Sequence, residues 1–141
     1  MRLPVYAPDT FWRATPEQIK KVCNGCGSED GLKVPDTFWG LCVVLACYIH
    51  DWMFEEGETL GDYFFANAMF FWNLTAIVIN NSNWFMMLLR MERALKYFLG
   101  VMFEKGQEAF WKNKEPNDAI YITYQGSLRV EFQIKTGGVL G

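Results

Sequence analysis

His50 is the sole histidine of the chain and sits in Cys47-Tyr48-Ile49-His50-Asp51, with a carboxylate directly after it and a thiol three residues before. An imidazole titrates near neutrality, which suits it to general-base work. An aspartate offers oxygen to a hard cation such as Ca²⁺, and so do the carbonyls of a glycine-rich loop. Such a loop lies upstream, in Cys23-Asn24-Gly25-Cys26-Gly27-Ser28-Glu29-Asp30-Gly31. Together these residue types point to a hydrolytic site in which a histidine activates water beside a cation. The plainer reading of the same residues is a hydrogen-bonded core histidine next to a turn. The four cysteines raise a third possibility, since Cys23 and Cys26 have zinc-ligand spacing. Cys42 and Cys47 weigh against it. Five apart on a helix, they stand about 140° from each other, a poor angle for one tetrahedral ion.

These residues need elements to hold them. At about 100° per residue, Cys47, His50, Asp51 and Phe54 share one helical face. Pro35-Asp36 is expected to open that helix, which runs to Glu56 and stops at Gly57. Before it, Thr15-Pro16-Glu17-Gln18 is a capping box for a short helix ending near Cys23-Asn24-Gly25. After it, Thr59 and Asp62 form a second capping box for a helix reaching about Ile79. A fourth helix starts after Ser82 and is predicted to continue to about Trp111, with Phe85, Leu88, Leu89, Met91, Leu95, Phe98 and Met102 on one broad face. The tail changes character. Ile120 to Tyr124 and Leu128 to Ile134 alternate and are β-branched, which predicts a hairpin over 118–136 with its turn at Gln125-Gly126.

The chain has 141 residues, 51% of them hydrophobic and 17% aromatic. That suffices for one domain with a full core and excludes a disordered chain. The net charge is −3, and Lys20-Lys21 is the only modest basic cluster, so no nucleic-acid partner is expected. Residues Met1 to Pro8 lack the apolar run of a signal peptide. Tyr63 to Leu89 carries no charge and is long enough to span a bilayer, yet Asn80-Asn81-Ser82-Asn83 splits it. Two buried core helices are the expectation, with lipid-facing surface on one of them left open. The stripes Met69-Phe70-Phe71-Trp72 and Trp84-Phe85-Met86-Met87 read as core. Glu55-Glu56 and the charges from Arg90 to Lys96 read as solvated faces.

At the loop and the His-Asp pair the chain resembles the secreted phospholipase A₂ superfamily, in a short form similar to small proteins found in phage and prophage genomes. That superfamily has a Cys-Gly calcium loop, a proline, and a helix bearing Cys-x-x-His-Asp-x-x-Tyr. Here these are Gly25 to Gly31, Pro35, and Cys47 to Phe54. The match spans about residues 15 to 80; the fourth helix (82–112) and the tail lie outside it. The resemblance implies a mainly α fold: an antiparallel helix pair with a calcium loop, extended by a long helix and a C-terminal β-hairpin. It implies that His50 takes a proton from the water that attacks the sn-2 ester of a phospholipid. Asp51 would hold Ca²⁺ with backbone oxygens of Gly25, Gly27 and Glu29, and Cys26 would pair with Cys47, leaving Cys23 and Cys42 without a partner. The partner implied is a phospholipid or membrane surface.

Two residues depart from the family. Its histidine is oriented by an aspartate within an Asp-x-x-Phe-like pattern, where this chain has Asn67-Ala68-Met69-Phe70. An amide oxygen can set the imidazole tautomer but supplies no charge to an imidazolium. The family tyrosine after His-Asp is Phe54, so a hydroxyl donor is lost together with the carboxylate it served. Asp62, five residues before Asn67, faces elsewhere. Other readings stay open: a non-enzymatic phage structural protein, virion component or envelope-interaction protein that keeps the fold, or a membrane-associated helical protein. A cytosolic setting would keep Cys26 and Cys47 reduced, and the tail hairpin could pair edge to edge in a homo-oligomer.

Overall fold

Two capping boxes punctuate the helical chain. Thr15 Oγ1 accepts from the Gln18 amide at 3.2 Å while Gln18 Oε1 accepts from the Thr15 amide at 2.8 Å. Thr59 and Asp62 exchange the equivalent pair at 3.0 and 3.1 Å. Each box satisfies amides that the first helical turn leaves without an internal partner. The computed structural model describes residues 2–27, 34–111, 118–122 and 128–132. Among them the chain is mainly helical: α1 (Asp9–Arg13), α2 (Pro16–Val22), β1 (Thr37–Phe38), β2 (Leu41–Cys42), α3 (Val44–Glu56), α4 (Leu60–Asn80), α5 (Trp84–Met102), α6 (Glu104–Trp111), β3 (Asp118–Ile122) and β4 (Leu128–Phe132).

Helices α3, α4 and α5 run up, down and up against one another. The connections Gly57–Thr59 and Asn81–Asn83 are too short for anything but antiparallel neighbours. Their shared core is Val43, Ala46, Phe70, Leu74, Val78 and Ala94, closed at one edge by Phe38 and Cys47. Helix α4 is the central member. It is the one helix among the described residues long and apolar enough to cross a membrane, and it carries α3 on one side and α5 on another. A second cluster joins Phe11, Cys23, Ile49 and Trp52, packing α1 and α2 onto α3.

The N-terminal segment is tied to α4 by asparagine side chains. Asn73 accepts from the Tyr6 amide at 2.9 Å and donates to the Tyr6 carbonyl at 2.8 Å. Asn80, two turns on, does the same with Leu3 at 2.8 Å each way. Trp72 Nε1 donates to the Pro4 carbonyl between them. Asn73 and Asn80, both within the uncharged run, therefore have a structural task.

Several expected boundaries are corrected. The residues after Pro35-Asp36 form a two-stranded hairpin, with Thr37 opposite Cys42 and Phe38 opposite Leu41, before the helix begins at Val44. Trp39 (φ 46°) and Gly40 (φ 81°) make its turn, the positive-φ pair that suits the twist of a two-residue hairpin loop. Arg90 clamps this turn, donating to the carbonyls of Phe38 at 3.1 Å and Trp39 at 2.9 Å. It also reaches the Asn81 carbonyl and the Ser82 hydroxyl, so Arg90 is a tie between elements and not part of a solvated face. Cys42 lies on β2 and not on the helix, so its helical angle to Cys47 does not apply.

The predicted fourth helix is two helices. Phe103 is extended (φ −98°, ψ −171°) between α5 and α6. The chain folds back so tightly there that a Cβ at Gly106 would overlap the Val101 carbonyl. Trp84 and Phe85, expected in the core, are exposed, because α5 turns a different side to α4. The tail strands β3 and β4 pair antiparallel from Asp118↔Phe132 to Ile122↔Leu128. The expected turn at Gln125-Gly126 and the residues beyond Phe132 lie outside the described residues.

Candidate functional site

His50 is buried on α3, 6% exposed. Its Nε2 lies 2.8 Å from Asn67 Oδ1 on α4. The proton's position follows from the other end of that amide. Asn67 Nδ2 faces the Val101 carbonyl and the Met102 sulfur, both at 3.2 Å, and these are acceptors only. The oxygen therefore faces the histidine, Nε2 carries the proton and donates it, and Nδ1 keeps a free lone pair. The tautomer is the one a general base acting through Nδ1 requires.

The ring is packed between Phe54, with centroids 4.0 Å apart, and Phe70, at 4.4 Å. Burial lowers its pKa to about 4, although the hydrogen bond to Asn67 pulls the other way. His50 is thus neutral at pH 7. It can accept a proton, but the charged form is supported by the neutral amide of Asn67 and not by a carboxylate. Tyr63 Oη donates to the same Val101 carbonyl at 2.7 Å, so the end of α5 fixes both polar groups of α4 next to the histidine. Phe54 also packs against Tyr63 and, edge to face, against Phe110.

Asp51 takes the adjacent edge of the face and turns to the loop. Its Oδ2 accepts from the amides of Asn24 at 2.9 Å and Gly25 at 3.2 Å. Burial raises its pKa to about 7; the two amides lower it, and the charge of Asp36 raises it further. Asp36 Oδ1 accepts from the Cys26 amide at 3.0 Å. The loop is pinned to α3 by the Cys26–Cys47 disulfide, with a Cα–Cα distance of 4.9 Å. Cys23 and Cys42 are free thiols. Cys23 donates to the Tyr48 carbonyl at 3.2 Å, and burial, then the nearby Asp51, pushes its pKa up to about 11.

The structure thus brings His50 and Asn67 together and sets Asp51 against Gly25. The contact with Gly25 is through its amide and not its carbonyl. Gly27 closes the described stretch, and Glu29 lies outside the described residues. Among the described residues no group of three or more His, Cys, Asp or Glu side chains is arranged to hold a metal. A hard cation takes six to eight oxygens. The donors that fit one here are the Asp51 carboxylate, with Asp36 beside it and loop carbonyls to complete the set. Among the described residues Asp51 and Asp36 accept from backbone amides of one loop, and the raised pKa of Asp51 is one that a cation would relieve.

Three contributors escaped the sequence reading. Asp36 is expected at a helix start, though its place directly after a proline also suits a turn. Tyr63 stands four residues before Asn67, one turn away on the same face, a legible spacing. The Val101 carbonyl leaves no trace in a sequence. Compared with protein-family models, curated proteins and solved structures, this chain finds no match in any of the three.

Proposed function

We propose that this chain is a calcium-dependent phospholipase A₂-type esterase acting on the sn-2 ester of phospholipids, with turnover weakened by Asn67 and Phe54. In this reading α3 and α4 are the family's antiparallel helix pair and residues 25–31 its calcium loop. The observation that carries it is the His50 Nε2 to Asn67 Oδ1 bond at 2.8 Å, which leaves Nδ1 as the base. The Cys26–Cys47 disulfide and Asp51 set against the loop support it.

Asp51, with loop carbonyls, would hold Ca²⁺, which when bound supplies a Lewis acid for the ester carbonyl and its developing oxyanion. His50 Nδ1 takes the proton of the attacking water, and Asn67 holds the ring in place through Nε2. As the ring becomes imidazolium, Asn67 offers a dipole where a carboxylate would offer charge. Phe54 and Phe70 keep the surroundings apolar, so the protonated form is costly and the step slow. The same sealing supports the second reading, a non-enzymatic relative in which His50 is a packed core residue.

Mixed phospholipid vesicles with Ca²⁺ separate the two. Fatty acid release that chelation stops, and that His50→Gln lowers by about 10²–10⁴-fold, is expected. No release at any Ca²⁺ concentration would sink the enzymatic reading.

A further inference from the structure

The exposed apolar side chains of α5 form a stripe. Trp84, Leu88, Leu95 and Leu99 are 73%, 59%, 48% and 39% exposed, and at 100° per residue they fall within about 60° of arc. Phe85 borders them. Helix α4 extends the same surface: Phe71 meets Phe98 of α5 at 5.0 Å, with exposed Phe64 and Ile79 on the outer side of that seam. Helix α3 lies on the other side of α4, where Asn67 and Phe70 meet His50. The β1–β2 hairpin and its approach occupy the opposite flank of α5, held by Arg90 and Tyr97.

The size and spacing of the stripe select its occupant. Scaled from the 150–250 Å² of a large aromatic side chain, the exposed apolar area is roughly 700 Å². The largest patch on an ordinary monomer is about 300–600 Å², and a standard interface takes about 800 Å² from each partner. The positions 84, 88, 95 and 99 are separated by 4, 7 and 4 residues, the same sequence of gaps in either direction. A helix so spaced matches an antiparallel copy of itself about a two-fold axis between Met91 and Glu92, with Trp84 opposite Leu99 and Leu88 opposite Leu95. Glu92, the charge nearest that axis, is already paired with Lys96 at 2.6 Å and Arg93 at 3.8 Å, so two copies meet there without unpaired like charges. An anionic lipid surface is a poorer fit, because the stripe offers no cation, the chain carries net −3, and α3 would face away from the bilayer.

We propose that a second copy of this chain covers the stripe, forming an isologous dimer through antiparallel α5 helices. The proposal stands apart from the esterase reading, since the His50 side of α4 stays uncovered. Sedimentation equilibrium of the full chain at micromolar concentration is expected to give twice its 16.4 kDa mass. Leu88→Glu with Leu95→Glu, both at exposed positions, is expected to give the single mass with an unchanged far-UV circular dichroism spectrum. Trp84→Cys with Leu99→Cys, in a Cys42→Ser background, is expected to cross-link copies on oxidation, because fifteen residues along a helix (about 22 Å) rule out an internal bridge. A monomeric wild-type chain, or a dimer that persists in the Glu variant, overturns the proposal. Absence of the 84–99 cross-link overturns the antiparallel arrangement even if the Glu variant fails to fold. Flotation of monomeric chain with vesicles assigns the stripe to lipid and overturns it as well.

Discussion

The amide of Asn67 meets two kinds of neighbour, and each demands a different atom. His50 donates to its oxygen, while Val101 and Met102 accept from its nitrogen. A carboxylate would satisfy the first and oppose the second. Asn67→Asp, which puts a carboxylate in place of the amide, is therefore expected to destabilise the chain by about 1–3 kcal/mol at pH 7, read by urea denaturation. Equal or greater stability of that variant would show that the Val101 carbonyl does not select the amide. At this scale the sequence was informative where side chains speak for themselves. The spacing from Cys47 to Asp51 and the register to Asn67 were legible. The reason for an asparagine was not, since it rests on a carbonyl of a helix 34 residues away.

Among the elements, α6 is held by one close fit. Its Phe110 ring lies over Gly57, where a Cβ would come within 2.6 Å of a ring carbon, with Asp62 on the other side. Gly57→Ala must displace that ring from Phe54 and Tyr63. A loss of about 1–3 kcal/mol is expected, and an unchanged melting temperature would refute the fit. The Cys26–Cys47 bridge closes a loop of 21 residues' separation, worth about 3 kcal/mol by chain entropy. Reductant should lower the melting temperature of the wild type and leave Cys26→Ala unaffected. Helix ends with side-chain caps, at Thr15 and Thr59, were readable in advance because the signal is local. The β1–β2 hairpin was not. Its turn puts Trp39 at positive φ, and Arg90, far along the chain, secures it. The break at Phe103 falls midway between Gly100 and Gly106, a local signal that the continuous apolar periodicity of the segment masks, and it goes with the approach of Gly106 to Val101.

For the molecule as a whole, two buried groups oppose each other with pH. His50 titrates at about 4 when folded, against 6.5 when free. The unfolded chain binds more protons in between, so its contribution is full above pH 6.5 and is lost as pH falls toward 4, about 3 kcal/mol in all. Asp51 titrates at about 7 when folded, against 3.8. There the folded chain binds more protons, so its contribution is full below pH 3.8 and is lost as pH rises through 7, about 4 kcal/mol. Without divalent cations the stability of the wild type should be nearly flat between these limits. His50→Gln should then lose stability as pH rises and Asp51→Asn as pH falls. A steep wild-type slope between pH 4.5 and 6.5 would refute this balance. Composition pointed to one domain with a full core, and the capping boxes and apolar spacing pointed to helices. Which apolar faces stay outside was beyond both, because α5 is apolar on more sides than α4 can cover.

The asparagine rungs on α4 mark where the chain can be divided. Asn73 and Asn80 recognise only the peptide groups of Tyr6 and Leu3, as a neighbouring strand would, and take no account of side-chain identity. Residues 2–8 are thus held by main-chain bonds at Leu3 and Tyr6, with the side chains of Val5 and Ala7 packed against the Phe11–Ile49–Trp52 cluster. The side chains at Leu3 and Tyr6 are the ones free to drift, and the same segment offered as a separate peptide should complement a chain that lacks it. Restoration of the melting temperature by a synthetic 2–8 peptide, and equally by one with Leu3 and Tyr6 replaced, would demonstrate that indifference; a peptide without effect would refute it.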